Sequence, residues 1–116
     1  MASFFKNKLE SNIGTSEVEV LNVSTNTRST VIGLSLTNLT SGIVLASIRL
    51  ELYDSEPPNS VLSTAYYVRD VIVPPNQSLR VINGGEKLIL ASNMTMYVQA
   101  SQPNSLDMIA SYVTIT

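Results

Sequence analysis

The sequence predicts an all-β domain, an antiparallel β-sandwich of jelly-roll type with about eight strands. Three observations support this class. Apolar and polar residues alternate with a period of two from residue 16 onward. Pro, Gly and Asn interrupt the alternation at regular intervals, as turns between strands do. The chain has 116 residues, the size of one domain, with 44% hydrophobic and only 14% charged residues, so Ser, Thr and Asn supply most of the polar faces.

The first fifteen residues differ from the rest and are predicted to form a short helix or an arm, which divides the chain into 1–15 and a sandwich domain 16–116. Three apolar residues follow the helical spacing i, i+4, i+8: Phe5, Leu9 and Ile13. Ser3 is a candidate cap and Gly14 a candidate stop. A helix this short is marginal alone, so a surface must bury Phe4 and its apolar neighbours. That surface is either the domain's own sandwich or, as we favour, a neighbouring subunit.

Strands of the first half are predicted at 16–23, 30–38 and 43–53. In 43–53 the alternation sends five residues inward: Val44, Ala46, Ile48, Leu50 and Leu52. In 30–38 it places Ile32 on the inner face with Leu34 and Leu36, and Val31 on the outer face. This pattern is typical of half-buried antiparallel strands.

The second half continues in the same way after a loop at 54–60, where two successive prolines exclude a central strand. The segments with strand character are 61–73, 78–83, 86–91, 94–101 and 107–116. Asn83-Gly84-Gly85 lies between 78–83 and 86–91, and Asn-Gly between apolar runs predicts a hairpin. A phosphate-binding loop is excluded, because no helix and no Lys-Ser/Thr pair follow.

Composition excludes most chemistry. The chain has no Cys and no His, so it lacks thiolate ligands, disulfides and the commonest general base. Net charge is −2 and the seven Lys and Arg are scattered, which argues against nucleic-acid binding. No apolar run is long enough for a membrane span or a signal peptide. Glu17 and Glu19 share a strand face about 7 Å apart, but an exposed polar face explains them. We expect no enzyme, no catalytic or metal site and no cofactor.

Aromatic and apolar residues instead predict a contact surface. Tyr66 and Tyr67 point to opposite faces of one strand, so one ring is core and the other is free for an interface. A carbohydrate platform is an alternative that the absence of Trp disfavours. The predicted partner-binding residues are Phe4, Phe5, Leu9, Ile13, Tyr53, Tyr66 and Tyr67.

Several segments resemble small virion structural proteins of tailed bacteriophages. They are "SNIGTSEVEVLNV", "STVIGLSLTNLTSG", "YYVRDVIVPPNQSLRVINGGEKLIL" and "ASYVTIT". In that family an Ile-Gly-Thr-Ser opening precedes a strand, and a Val-Pro-Pro-x-x-Ser-Leu turn leads to a Gly-Gly hairpin ending in Lys-Leu-Ile-Leu. The resemblance covers the chain from Asn12 onward and rests on turns and core strands.

The resemblance implies a β-sandwich unit, made in a host cytoplasm and located in the virion, that decorates or cements a capsid. Its partners would be the major capsid protein or other virion subunits, and the chain is expected to form a homo-oligomer. It would bind the shell through its N-terminal arm and one sheet face. The alternatives are a tail, neck or fibre-adaptor subunit with the same sandwich and, from another class, a carbohydrate-binding module.

Overall fold

The computed structural model describes residues 2–54, 60–82 and 87–116, and within these ranges the chain forms nine β-strands. They are β1 (Ser3–Ile13), β2 (Val18–Asn22), β3 (Arg28–Asn38), β4 (Val44–Tyr53), β5 (Val61–Val73), β6 (Ser78–Ile82), β7 (Leu88–Leu90), β8 (Met94–Ala100) and β9 (Leu106–Ile115). A five-stranded sheet has the order β1-β9-β3-β6, with β7 also on β3, and a four-stranded sheet has the order β2-β8-β4-β5. All pairings are antiparallel, so the predicted fold class is confirmed.

The core lies between the two sheets and is built from alternate residues of each strand. In β4, Val44, Ala46 and Ile48 are fully buried, as their spacing predicts. From the other sheet, β9 contributes Met108 and Ala110. Each large apolar side chain that folding buries in this way contributes roughly 1.5–3 kcal/mol, so the interior supplies most of the stabilisation.

A β-bulge in β3 moves side chains from one face to the other. Val31 is paired with Tyr112 of β9 and Gly33 with Ser111, so Ile32 is an extra residue without a partner of its own. The insertion reverses the alternation, and Val31 is buried in the core. The prediction that Val31 faces outward is therefore wrong.

Residues 3–13 form a strand rather than the predicted helix. β1 pairs residue by residue with β9, from Ser3 opposite Ile115 to Glu10 opposite Met108. Residues at i, i+4 and i+8 lie on one face of a helix and also on one face of a strand, so the same pattern fits both structures. Hydrogen bonds to β9 decide between them. That residues 1–15 also act as an arm toward a neighbouring subunit stays a prediction.

The end of β1 is irregular and turns the chain into the core. Asn12 has a φ of 55°, and the pairing with β9 shifts between Glu10 and Ile13. The backbone N–H of Asn12 donates to Asp107 Oδ1 at 3.0 Å, which holds the irregular backbone in place. As a result Ile13 is buried opposite Leu106, away from the face that Leu9 occupies.

The predicted hairpin between 78–83 and 86–91 is wrong. β6 pairs with residues 34–37 of β3, and β7 pairs with residues 29–31 of the same strand. The two short strands therefore follow each other along one edge of β3, which is long enough to give both of them hydrogen-bond partners. The Asn83-Gly84-Gly85 turn itself lies outside the described residues.

Five asparagines and one aspartate provide the left-handed backbone positions among the described residues. Among the described residues, positive φ occurs at Asn12, Asn26, Asp70, Asn76, Asn93 and Asn104, and at no glycine. A short polar side chain tolerates this conformation, because it forms local hydrogen bonds that offset part of the steric cost. The Asn-rich composition thus reflects turn geometry.

Asn38 is a buried polar residue that holds the β3–β4 turn to the end of β5. Its side chain is 1% exposed. Nδ2 donates to the carbonyl oxygens of Gly42, at 2.8 Å, and Val73, at 3.0 Å. Oδ1 accepts from both the N–H and the hydroxyl of Thr40, each at 2.8 Å. The amide is therefore fully satisfied without water.

We expect Asn38→Ala to lower the free energy of unfolding by about 2 kcal/mol, because it removes the side-chain donor to the buried Val73 carbonyl and the acceptor of the Thr40 N–H, while Gly42 O keeps Thr40 Oγ1 as a donor. Urea denaturation measures the loss. Asn22→Ala is the matched control, since exposed Asn22 accepts one bond from Tyr53 Oη, and its loss should stay below about 1 kcal/mol. Equal losses in the two variants would contradict the role of Asn38.

Candidate docking face

The outer face of the five-stranded sheet carries exposed apolar side chains. Across β1 and β9, Leu9 lies opposite Ile109 and Phe5 opposite Val113. Residues opposite each other in antiparallel strands point to the same face. Because Met108, next to Ile109, is buried, this shared face points away from the core. Phe5 is 82% exposed, Leu9 69% and Ile109 50%.

The apolar surface continues across the sheet to its other edge. Thr30 of β3 pairs with Val113 of β9 on one side and with Ile89 of β7 on the other. Ile89 is 64% exposed. A row from Phe5 through Val113 and Thr30 to Ile89 therefore crosses four strands, about 14 Å at the usual strand spacing.

We define the docking face as five residues: Phe5, Leu9, Ile89, Ile109 and Val113. Single exposed apolar residues are normal on a protein surface, but contiguous apolar patches mark interaction sites. Phe5 and Val113, and likewise Leu9 and Ile109, are cross-strand neighbours within about 5.5 Å of each other. The hydrogen-bonded pair Asn7 and Ser111 lies between these two apolar pairs, and Thr30 lies between Val113 and Ile89. The arrangement suits burial against another apolar surface rather than chemistry.

The outer face of the four-stranded sheet combines an ion-pair network with exposed apolar residues of β5, namely Leu62, Tyr66 and Ile72. Arg49 of β4 donates from Nε and Nη2 to the Glu17 carboxylate at 2.8 and 3.0 Å, and from Nη1 to Glu51 at 2.7 Å. Its guanidinium carbon lies 4.4 Å from the centroid of the Tyr97 ring. Charges and donors of this network satisfy one another.

The same contacts shift the pKa values of the groups involved. The hydrogen bonds from Arg49 lower the pKa of Glu17 below its ordinary value. Hydrogen bonds to Glu17 and Glu51 raise the pKa of Arg49. Burial, followed by the charge of Glu51, raises the pKa of Tyr97. Glu17 is thus held ionised by a bidentate partner, the reverse of what a general acid needs.

The structure places the predicted partner-binding residues in different environments, beginning with β1. Phe5 and Leu9 share the docking face. Phe4 lies opposite Thr114 on the other face of the sheet, with the Lys6 ammonium 5.9 Å from its ring centroid. Ile13 is a core residue and does not reach the surface.

The three predicted tyrosines lie on or near the four-stranded sheet. Tyr53 Oη donates to Asn22 Oδ1 at 3.1 Å. Tyr66 is 47% exposed, with the Arg69 guanidinium carbon 5.2 Å from its ring centroid. Tyr67 is half-buried and packs against the core. The structure therefore confirms that one ring of the Tyr66-Tyr67 pair is core-facing and the other exposed.

Sequence reasoning missed Ile89, Ile109 and Val113. The alternation in 107–116 contains a signal, but both of its phases are apolar: Met108 and Tyr112 in one, Ile109 and Val113 in the other. A period of two then identifies a strand without showing which face is buried. The pairing with β3 and β1 decides this.

The described ranges contain no group of three or more His, Cys, Asp or Glu side chains that could hold a metal ion. Within the same ranges, no helix has the length and apolar character needed to cross a membrane.

Comparisons with known proteins show similarity in fold only. No protein-family model and no curated protein sequence matches the chain. The chain is similar to a chain of the T13 infectious bursal disease virus particle, with 8% identity over 97% of this chain and 30% of that chain, at a TM-score of 0.57. A chain of the Gx strain of the same virus is also similar, with 8% identity over 99% of this chain and 33% of that chain, at a TM-score of 0.57.

A chain of Bacillus endospore appendages also matches, with 8% identity over 98% of this chain and 88% of that chain, at a TM-score of 0.49. The present chain spans about a third of the length of the virus chains. At these identities the virus structures show that the chain has a β-sandwich fold also found in a virus particle.

We expect Glu17→Gln to lower the free energy of unfolding at pH 7 by about 1 kcal/mol. The folded pKa of Glu17 is depressed, so its contribution is present above the unfolded pKa of about 4.5 and is lost as pH falls through the folded value. The difference between wild type and variant should therefore shrink to zero at lower pH. Thermal unfolding from pH 7 to pH 2.5 measures it.

Glu19→Gln is the matched control, since it removes the same charge from an exposed residue two positions away. It should give a smaller difference at pH 7, because the ion pairs of Arg49 are formed with Glu17 and Glu51. A Glu17→Gln effect that does not vary with pH would show that the ion pair contributes nothing.

Proposed function

We propose that the protein is a non-enzymatic structural subunit of a virion, a capsid decoration or cement protein that binds the shell through β1 and the docking face. The observation that carries this proposal is the exposed apolar row on the five-stranded sheet. Its partner is the major capsid protein of a tailed bacteriophage, the class that the sequence motifs resemble.

The two outer faces differ in how their charges are placed. On the four-stranded sheet Arg49 forms ion pairs with Glu17 and Glu51. The apolar docking face is bordered by Arg28, beside Ile89, and by Arg80, beside Ile109 across Ser35. An apolar centre with a polar border is the usual composition of an interface.

The fold likeness to chains of a virus particle supports the same role, because it relates this sandwich to one used in building shells. β1 is the part of the docking face that corresponds to the predicted arm. It supplies Phe5 and Leu9, the two most exposed members of the face. The proposed attachment thus combines the N-terminal segment and one sheet face.

We expect this chain to be present in purified particles in a number comparable with that of the major shell protein, as a subunit that covers the capsid surface must be. Quantitative mass spectrometry of particles measures the ratio. A few copies per particle would place the chain in the neck, tail or fibres instead. Its absence would overturn the virion role and favour a carbohydrate-binding module acting through Tyr66 and Tyr67.

We expect Leu9→Ser combined with Ile109→Ser to reduce binding to empty shells at least tenfold while leaving the sandwich folded. Both side chains are exposed in the isolated subunit, so their loss changes its stability little. Co-sedimentation with shells measures binding, and circular dichroism checks the fold. Ile43→Ser is the matched control, because Ile43 is 59% exposed but lies in the β3–β4 turn. Equal loss in the control would contradict the docking face.

A further inference from the structure

Strand β5 forms a long edge of the four-stranded sheet. In the part of the chain that the structure describes, β5 pairs with β4 alone. It has 13 residues, a length of about 43 Å, and the molecule measures 44 Å along its longest axis. Exposed side chains on β5 include Val61 at 54%, Leu62 at 61% and Tyr66 at 47%.

Hydrogen bonds of β4 show which backbone groups of β5 face the open side. Leu45 O accepts from Ser101 N, and Tyr53 N donates to Asn93 O, so odd-numbered residues of β4 face β8. Even-numbered residues therefore face β5.

The even-numbered residues Leu50 and Leu52 pair with Ala65 and Ser63 of β5. Thr64, which lies between these two residues, and Leu62 and Tyr66, which flank them, consequently direct their N–H and C=O groups outward.

The open edge lacks protective charges and prolines, although its pairing with β4 shifts register between Val61 and Ser63 and between Tyr66 and Val68. Residues 61–68, Val-Leu-Ser-Thr-Ala-Tyr-Tyr-Val, contain no charge, no Pro and no Gly. Edge strands in monomers are commonly guarded by Lys, Pro or bulges, and an uncharged strand of high β-propensity pairs readily with another strand. The first charged residue of β5 is Arg69.

Charge distinguishes this edge from the edge of the other sheet. Strand β1 is also an edge, but it carries Lys6 and Lys8. Two antiparallel copies of β1 centred on Asn7 would place Lys6 of one opposite Lys8 of the other, and like charges directly opposite are destabilising. Two copies of residues 61–68 meet without any charge. The sequence of β5 thus permits self-pairing that the sequence of β1 opposes.

We propose that two copies of this chain pair through β5, antiparallel and related by a twofold axis at Thr64. The two four-stranded sheets then form one continuous sheet of eight strands. This register places each Leu62 opposite the Tyr66 of the other copy and the two Thr64 residues opposite each other. The outward N–H and C=O groups of all three residues find partners.

The dimer is compatible with the attachment proposed above but does not depend on it. β5 belongs to the four-stranded sheet, whereas the docking face belongs to the five-stranded sheet. A β5 dimer therefore leaves both copies of the docking face uncovered. Because the interface is isologous, association stops at two copies.

Sedimentation equilibrium of the whole chain tests the proposal, and we expect a reversible monomer–dimer equilibrium. Leu62→Pro removes an outward N–H but no bond to β4, so the variant should fold and dimerise at least tenfold more weakly. Asn7→Pro is the matched control: Thr116 N donates to Ala2 O, so the odd-numbered Asn7 likewise faces outward on β1. This variant should dimerise as wild type does.

A charge pair tests the register and does not rely on proline. Leu62→Lys with Tyr66→Lys places two ammonium groups opposite each other, and we expect it to dissociate the dimer at low salt. Leu62→Lys with Tyr66→Glu places opposite charges there and should restore it. Circular dichroism checks that each variant folds.

Three results would overturn the proposal: a wild-type monomer at every concentration, a dimer that Leu62→Pro leaves intact, or association that Asn7→Pro also abolishes. The last result would show that β1 of one copy pairs with β5 of the next. The particle ratio tests the virion role separately, so failure of the dimer and failure of the proposed function are distinguishable.

Discussion

Each strand of this sandwich has two side-chain faces and the core can accept one of them, so the structure depends on where bulges switch between the faces. In β3 the extra residue Ile32 allows Val31 and Leu34 to be buried together. After Glu10 the irregular backbone at Asn12 turns Ile13 inward while Leu9 stays outside. Inserting or deleting one residue in either place would reverse the faces of the strand and turn a buried apolar side chain out to water.

The period of two made most of the fold predictable from sequence. The strands at 43–53, 94–101 and 107–116 follow from alternation alone, and the class follows from their number and turns. Alternation did not reveal Ser3–Ile13 as a strand, since Phe5, Leu9 and Ile13 fit helical spacing equally well. It also did not reveal that β6 and β7 share β3, because the choice of partner strand is a long-range contact that local residue patterns do not encode.

The candidate site was predictable only in part for the same reason. Phe5 and Leu9 stood out as apolar residues in need of cover, whereas Ile89, Ile109 and Val113 lie in segments whose two phases are both apolar. They become a surface only when β1, β9, β3 and β7 are placed side by side. The tyrosines were easier to identify in the sequence as candidate contact residues. In the structure, however, Tyr53 donates a hydrogen bond to Asn22 and Tyr67 packs on the core. On the outer face of the four-stranded sheet, Arg49 gathers two of the carboxylates.

Strand β9 lies between β1 and β3 in the five-stranded sheet, although it follows every other strand in the chain. Among the described strands β1 pairs with β9 alone, whereas β3 also pairs with β6 and β7. A truncation that removes β9 would therefore detach β1 from the sheet and uncover the edge of β3 that β9 occupies.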